Sequence, residues 1–304
     1  MKILFTETFS FPDDLKDKLD QIGIDYDFYK PDQTYDFSQY DVMSGNMRQN
    51  LDIHAFTSLK WLHLTTAGFD HVDTALLRQK GVLITNGRGV YSDPIAEWVV
   101  MSILYFYKQV HLFNQQKQAH IFKRHSLKEL SFKKVLILGT GSIGVEIANR
   151  LLPFHVHLYG INTSGKLVLP FHMCLPISQL DETLPEMDIV IMALPSTEKT
   201  HHLLNQSNFK YFKEGSILIN VGRGPCIAEA DLINALKLNR PTYAALDVFE
   251  EEPLDSNSPL WDLDNVLLSP HVSFMGQWTG EREYMILLNN INHYLNQQTL
   301  DNLI

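Results

Sequence analysis

Lys133-Lys134-Val135-Leu136-Ile137-Leu138-Gly139-Thr140-Gly141-Ser142-Ile143-Gly144-Val145-Glu146-Ile147-Ala148-Asn149-Arg150-Leu151-Leu152 is the stretch on which the fold turns. Its first third, basic and then apolar, reads as a buried strand. Its last third carries apolar residues at helical spacing. Between them lies a Gly-x-Gly-x-x-Gly loop. Strand, tight turn and helix start are what a dinucleotide pyrophosphate requires, because the first amides of the helix point at the phosphates. Gly139 makes the turn, Gly141 lets backbone approach phosphate, and Gly144 lets helix pack on strand; Ser142 and Ile143 complete the candidate cradle. A lone glycine loop is a weak motif, and the flanking elements make this one specific. The loop comes almost halfway along the chain, so a segment of domain size precedes it.

The bulk numbers agree with two domains. A chain of 304 residues, 45% apolar and 20% charged, is long enough for two cores and ordinary for a soluble globular protein. A formal net charge of −10, with no block of Lys or Arg, argues against a nucleic-acid partner. It leaves room for an anionic substrate, which needs only one or two well-placed cations. Cys174 and Cys226 have no C-x-x-C partner and read as reduced thiols of a cytoplasmic protein. The apolar opening Ile3-Leu4-Phe5 is cut short by Thr6-Glu7, so no secretory signal is expected. The longest apolar stretch, Trp98 to Tyr107, is too short for a bilayer and reads as a buried helix, so no membrane partner is expected either. Thirteen histidines raise the question of a metal. No H-E-x-x-H is present, His155 and His157 sit two apart on a predicted strand, and no metal ligand is assigned.

Along the first hundred residues, strands are predicted at Lys2–Phe5, Ile24–Tyr29, Asp41–Met43, Trp61–Leu64 and Val82–Ile84. Helices are predicted between them at Phe11–Ile22, Leu51–Leu59 and Val72–Gln79. A long amphipathic helix follows from the Asp93-Pro94 start signal. A second set of strands is predicted at Val135–Leu138, Val156–Tyr159, Ile189–Ala193, Ile217–Val221, Tyr243–Leu246 and Val266–Leu268, with a terminal helix from Gln277 to Asn296. This alternation predicts an α/β fold of two doubly wound parallel-sheet domains with a cleft between them. Residues 1–96 with 277–304 would form one domain and 97–276 the other.

Three polar punctuation points end predicted strands of the second set: Asn220-Val221-Gly222-Arg223-Gly224, Asp247 to Leu254, and Ser269-Pro270-His271. In open α/β sheets that edge is where ligands bind. Reduction of a 2-oxo acid needs a cation that grips the carboxylate and polarises the ketone, which a guanidinium does in bidentate geometry. It also needs a proton donor for the developing alkoxide, and a carboxylate beside a histidine favours the protonated ring. Arg223, His271 and Glu252 match those roles. Taken singly, Arg223 reads as a surface turn, Glu252 as part of a solvated acidic run and His271 as a satisfied loop histidine. Their joint order behind the glycine loop favours catalysis. Ser44, in Ser44-Gly45-Asn46 at the end of an early strand, is a further candidate for substrate contact.

Over nearly its whole length the chain resembles the D-isomer-specific 2-hydroxyacid dehydrogenase family. The resemblance rests on Thr66-Ala67-Gly68-Phe69-Asp70, Ile95-Ala96-Glu97-Trp98, Glu129-Leu130, the 139–144 loop, Leu194-Pro195 with Thr200, Ile219 to Gly224, Asp247-Val248-Phe249 with Glu252-Pro253, and Ser269-Pro270-His271. It implies a flavodoxin-like substrate domain with an inserted Rossmann dinucleotide domain. It implies that Arg223 binds substrate, that His271 is the acid/base paired with Glu252, and that Asp247 contacts the nicotinamide carboxamide. The backbone around Ala67 and Gly68 would hold the substrate carboxylate, and Leu194-Pro195 would flank the adenine. Thr200, Val221 and Gly222 complete the implied cofactor set. A homodimer is also implied, and the aromatics Trp98, Tyr105, Phe106, Tyr107 and Phe113 suit either an interface or a core.

NAD-using members of that family carry Gly-x-Asp where this chain has Gly160-Ile161-Asn162, followed by Thr163-Ser164-Gly165-Lys166. The carboxylate that would repel a 2′-phosphate is missing, while Asn162, Thr163 and Ser164 offer neutral hydrogen bonds and Lys166 a positive charge. NADP is therefore favoured over NAD. The segment Lys166–Leu184, with Pro170 and Pro176, is too short for a full helix. The expected activity is that of a 2-oxoacid reductase acting on glyoxylate, hydroxypyruvate or a larger 2-oxo acid. Phosphoglycerate oxidation is less favoured because no regulatory domain follows the last helix. Formate oxidation is disfavoured because Glu252 stands where a glutamine is expected. The competing class is a non-catalytic, dinucleotide-sensing interaction protein of the same fold, against which the lack of tails or partner-binding extensions counts.

Overall fold

The computed structural model describes residues 1–6, 14–46, 51–70 and 72–304. They form two compact units, Met1–Tyr91 with Gly276–Ile304, and Ser92–Met275.

The first unit runs β1 (Lys2–Phe5), α1 (Leu15–Gln21), β2 (Asp25–Phe28), β3 (Val42–Gly45), β4 (Trp61–Leu64), α2 (Thr74–Gln79) and β5 (Leu83–Asn86). The strands pair in parallel in the order β2-β1-β3-β4-β5, the flavodoxin-like arrangement. Side chains alternate between the two faces of each strand. Ile3, Phe5, Val42 and Trp61 point to one core, whereas Leu4, Met43, Leu62, Leu64 and Ile84 point to the other. Helix α1 buries Leu15 and Leu19. The start of the predicted helix Phe11–Ile22 lies outside the described residues. The predicted helix Leu51–Leu59 is only a single 3-10 turn, Ile53–Ala55. From that turn Phe56 reaches the core and Leu51 and Ile53 pack against it, so no longer helix is needed to bury them.

The second unit opens with α3 (Ser92–Tyr107) and α4 (Val110–Gln118). Asp93 and Pro94 lie in the first turn of α3, where the missing proline N–H leaves no gap. The long segment is broken at Gln109, whose φ of 52° lies in the left-handed region. Phe106 and Tyr107 are core residues. The sheet unit follows: β6 (Lys134–Leu138), α5 (Ser142–Leu151), β7 (His157–Asn162), β8 (Met173–Pro176), α6 (Leu180–Thr183), β9 (Ile189–Met192), α7 (Gln206–Phe209), β10 (Ile217–Asn220), α8 (Glu229–Lys237), β11 (Tyr243–Leu246) and β12 (Val266–Leu268). All strands are parallel, in the order β12-β11-β10-β9-β6-β7-β8, a Rossmann sheet extended by one strand. Val135–Leu138, Ile189–Met192 and Ile217–Ile219 are wholly buried, as both faces of a parallel sheet are covered. Strand β8 is not anticipated by the sequence, since four residues ending in proline carry little periodic signal. Between β7 and β9 the only α-helix is the four-residue α6.

The last element, α9 (Thr279–Leu295), belongs to the first unit and sets Tyr284, Leu287 and Ile291 into its core beside Trp61. Among the described residues no helix is long and apolar enough to cross a membrane. Nor does any group of three or more His, Cys, Asp or Glu among them suit a metal ion.

Candidate active site

The glycine loop lies after β6, at the point where strand order reverses between β6 and β9. Gly139 has a φ of +104°, and a Cβ there would stand 2.6 Å from Ala193 O, so the turn requires glycine. A Cβ on Gly144 would stand 1.9 Å from Gly139 O, which is the close helix–strand approach read from the sequence. Around Gly141, the residue before α5, a Cβ would meet nothing within 4 Å. The backbone there is open to a ligand, and the Ser142, Ile143 and Gly144 amides at the start of α5 have no acceptor in the preceding turn of a helix. These residues fit a dinucleotide pyrophosphate.

The turns after β9, β10 and β11 stand shoulder to shoulder without side chains between them. A Cβ on Gly222 would stand 2.6 Å from Leu194 O, and one on Gly224 only 1.7 Å from Phe249 O. The turn holding Arg223 is also tied internally, because the buried Asn220 accepts from Gly222 N at 3.1 Å and donates to Arg223 O at 3.2 Å. The half-buried Arg223 donates from Nη1 to Gly222 O at 2.9 Å.

His271 follows β12. Its Nδ1 lies 2.8 Å from Glu252 Oε2, and both side chains are about one-third exposed, at 37% and 35%. Glu252 Oε1 accepts from Phe249 N at 3.2 Å, which orients the carboxylate. His271 has a φ of 52° and donates its backbone N–H to Asp247 O at 2.8 Å. Histidine is among the few non-glycine residues that enter the left-handed region with any frequency. Phe274 packs edge-on against the ring at 5.6 Å.

Asp247 is fully buried. Its Oδ1 accepts from Ser269 Oγ at 2.5 Å and Val272 N at 2.9 Å, and its Oδ2 from Ser273 N at 2.9 Å. The carboxylate therefore braces the loop that carries His271, and it presents no exposed surface for the nicotinamide contact that the family resemblance implies.

A second polar pair backs the Arg223 turn. His202 Nε2 lies 2.5 Å from Glu250 Oε1, and Glu250 Oε2 accepts from Glu229 N at 3.0 Å. Burial, with the like charge of Glu250, pushes the Glu229 carboxyl up. Burial works to raise Glu250 too, but the Glu229 backbone and the His202 ring outweigh it and hold that carboxyl below the usual range.

At the end of β7, Asn162 organises its own loop. Its Oδ1 accepts from Gly165 N at 2.8 Å and Ser164 N at 3.1 Å, and its Nδ2 donates to Lys166 O at 3.0 Å and Thr140 Oγ1 at 3.1 Å. This leaves Thr163, Ser164 and Lys166 exposed as candidate ligand contacts. Leu194 and Pro195 follow β9, with Pro195 exposed. Thr200 is buried and closes their turn, donating to Pro195 O at 2.6 Å and accepting from Thr197 N at 2.8 Å. Val221 is buried as well.

In the first unit, Ala67 and Gly68 follow β4. Asn86 Nδ2 donates to Ala67 O at 2.6 Å, and Thr66 Oγ1 donates to Gly68 O at 2.7 Å. Among the described residues neither the Ala67 nor the Gly68 amide has an acceptor. Ser44 does not belong with them. It is 1% exposed, on the face of β3 that shares its core with α9, and its hydroxyl finds no partner among the described residues. Sequence reasoning missed Asn86, although a polar residue ending a strand before glycine is a readable signal. It also missed the buried pair of His63 and Glu283, whose Nε2 and Oε1 lie 2.7 Å apart.

A family model described as the NAD binding domain of D-isomer specific 2-hydroxyacid dehydrogenases matches residues 100–273. The chain is 34% identical to a glyoxylate reductase of Thermofilum pendens over 229 residues, 72% of this chain and 67% of that protein. A D-isomer specific 2-hydroxyacid dehydrogenase family protein from Aeromonas salmonicida shares 29% identity and superposes with a TM-score of 0.85, covering 100% of this chain and 98% of its own. A D-isomer specific 2-hydroxyacid dehydrogenase from Xanthobacter autotrophicus, solved in complex with NADPH and MES, is 25% identical with a TM-score of 0.85, covering 100% of this chain and 97% of its own. On the strength of these matches and of the site just described, the chain belongs to the D-isomer-specific 2-hydroxyacid dehydrogenase family, enzymes acting on the CH–OH group of their donors.

Proposed function

We propose that this chain works as a reductase of small 2-oxo acids of the glyoxylate or hydroxypyruvate type, with NADPH preferred. The observation that carries this reading is the His271–Glu252 pair, 2.8 Å apart, on the carboxyl edge of the sheet whose glycine loop fits a dinucleotide. A bound nicotinamide cofactor would supply the hydride. Glu252 holds Nδ1 of His271, so Nε2 is the ring nitrogen left to deliver a proton to the alkoxide oxygen. Arg223 grips the carboxylate and polarises the ketone. The unpaired amides of Ala67 and Gly68 are the proposed donors to the same carboxylate.

For the cofactor, support comes from the missing acid at the end of β7, from the exposed Thr163, Ser164 and Lys166, and from the NADPH found in the Xanthobacter relative. A homodimer is supported by surface shape. A groove of about 600 Å³ runs along Val100, Met101, Leu104, Tyr105 and Val110. On the same unit Phe122 stands 98% exposed, so two copies could exchange a knob for a hole. The buried thiols of Cys174 and Cys226 support a cytoplasmic setting.

The test is a panel of 2-oxo acids followed at the nicotinamide absorbance with each cofactor. NADPH should give the higher kcat/KM, and Asn162→Asp should shift the preference towards NADH by about tenfold or more. Tight cofactor binding without turnover on any acid would replace this reading with a dinucleotide sensor.

A further inference from the structure

Asn86 ends β5, is 3% exposed, and has both ends of its side chain engaged. Its Nδ2 reaches Ala67 O at 2.6 Å, and its Oδ1 accepts from Arg88 N at 3.4 Å. Ala67 O and Gly68 N belong to one planar peptide group and point to opposite sides of it, so a bond that pins the oxygen also aims the N–H. The preceding peptide is pinned in the same way, because Gly87 N donates to Thr66 O at 3.1 Å and thereby aims Ala67 N–H. That second bond needs a glycine, since a Cβ on Gly87 would stand 2.6 Å from Thr65 O.

Asn86 is itself held from behind. Its backbone N–H donates to Asn302 O at 3.3 Å, and Asn302 Nδ2 donates to Asn86 O at 3.1 Å and Arg88 O at 2.8 Å. Arg88 Nε closes the ring on Asn302 Oδ1 at 3.1 Å. The segment carrying Asn302 is anchored one residue earlier, where the wholly buried Asn290 of α9 brackets the Asp301 backbone. Its Oδ1 accepts from Asp301 N at 2.7 Å and its Nδ2 donates to Asp301 O at 3.1 Å.

We infer that Asn86 is a positioning residue for substrate binding: it aims the amides of Ala67 and Gly68 at the substrate carboxylate, with Asn302 as its backstop. This rests on the function proposed above. Asn86 has no part in the chemistry, so its loss acts on binding alone.

The experiment compares the full-length protein with Asn86→Ala and Asn302→Ala, using NADPH with glyoxylate and with hydroxypyruvate. For Asn86→Ala, KM should rise about tenfold by the same factor for both acids, which share the carboxylate, while kcat and NADPH affinity stay within about twofold. Asn302→Ala should follow in the same direction by about threefold. Amide exchange over residues 64–70 should speed up in Asn86→Ala. An unchanged KM in an active enzyme overturns the inference, and so does a parallel loss of NADPH affinity, which would mean general loosening. If the parent protein turns over neither acid, the proposed function fails separately. The exchange measurement then decides, and unaltered exchange over 64–70 overturns the positioning role.

Discussion

Two histidine–glutamate pairs of nearly equal length sit in this molecule and have different settings. His271–Glu252 spans 2.8 Å with both side chains about one-third exposed. His63–Glu283 spans 2.7 Å at 0% and 1% exposure. In the buried pair both ring nitrogens are committed. Trp61 Nε1 donates to Thr85 Oγ1 at 2.8 Å, which leaves the Thr85 proton for His63 Nδ1, also at 2.8 Å, and His63 Nε2–H for Glu283. In the partly exposed pair Nδ1 is held, and among the described residues Nε2 has no hydrogen-bond partner. The same two side chains make a structural tie in one unit and a candidate acid catalyst in the other. Access, more than the pair's geometry, separates the two.

The largest effect expected is on chemistry. His271→Ala should lower kcat by about 10²–10⁴ while thermal unfolding and cofactor affinity stay close to the parent, as read by steady-state kinetics and a melting curve. Near-normal turnover would erase the contrast. His63→Ala should do the reverse. Leaving the buried Glu283 carboxylate without its Nε2–H donor costs about 1–3 kcal/mol of stability or more in denaturant titration, with kcat per folded molecule nearly unchanged. A comparable loss of kcat there would show that the buried pair also serves the reaction. Glu252→Gln keeps the shape but removes a charged acceptor worth about 1.5–3 kcal/mol, so the reduction rate should fall ten- to a hundredfold. Smallest of all is His202→Ala. It breaks a third, partly exposed pair with Glu250 and should cost less than about 1 kcal/mol in the same titration.

What could be read from the sequence was local. Gly139 and Gly144 have distinct jobs that are legible from their spacing and visible in the backbone, and the backbone at Gly141 is open. Arg223, Glu252 and His271 announce themselves as polar punctuation after apolar strands. His63 and Glu283 are 220 residues apart, and no periodicity connects a lone histidine on β4 to a carboxylate on α9. Asp247 shows a different limit. A carboxylate at a strand end is legible, but the bonds from Ser269, Val272 and Ser273 that occupy it come from a loop whose path the sequence does not reveal. The break at Gln109 escaped for a related reason, because the apolar pattern continues across it while the backbone reverses its φ.

The glycines at 222 and 224 have a practical meaning for anyone re-tailoring this enzyme. With Leu194 and Phe249 backbone pressed against them, those two positions accept no methyl group, and the turns they join cannot be altered one at a time. A library aimed at this sheet edge should therefore leave the seam untouched and vary the exposed positions around it.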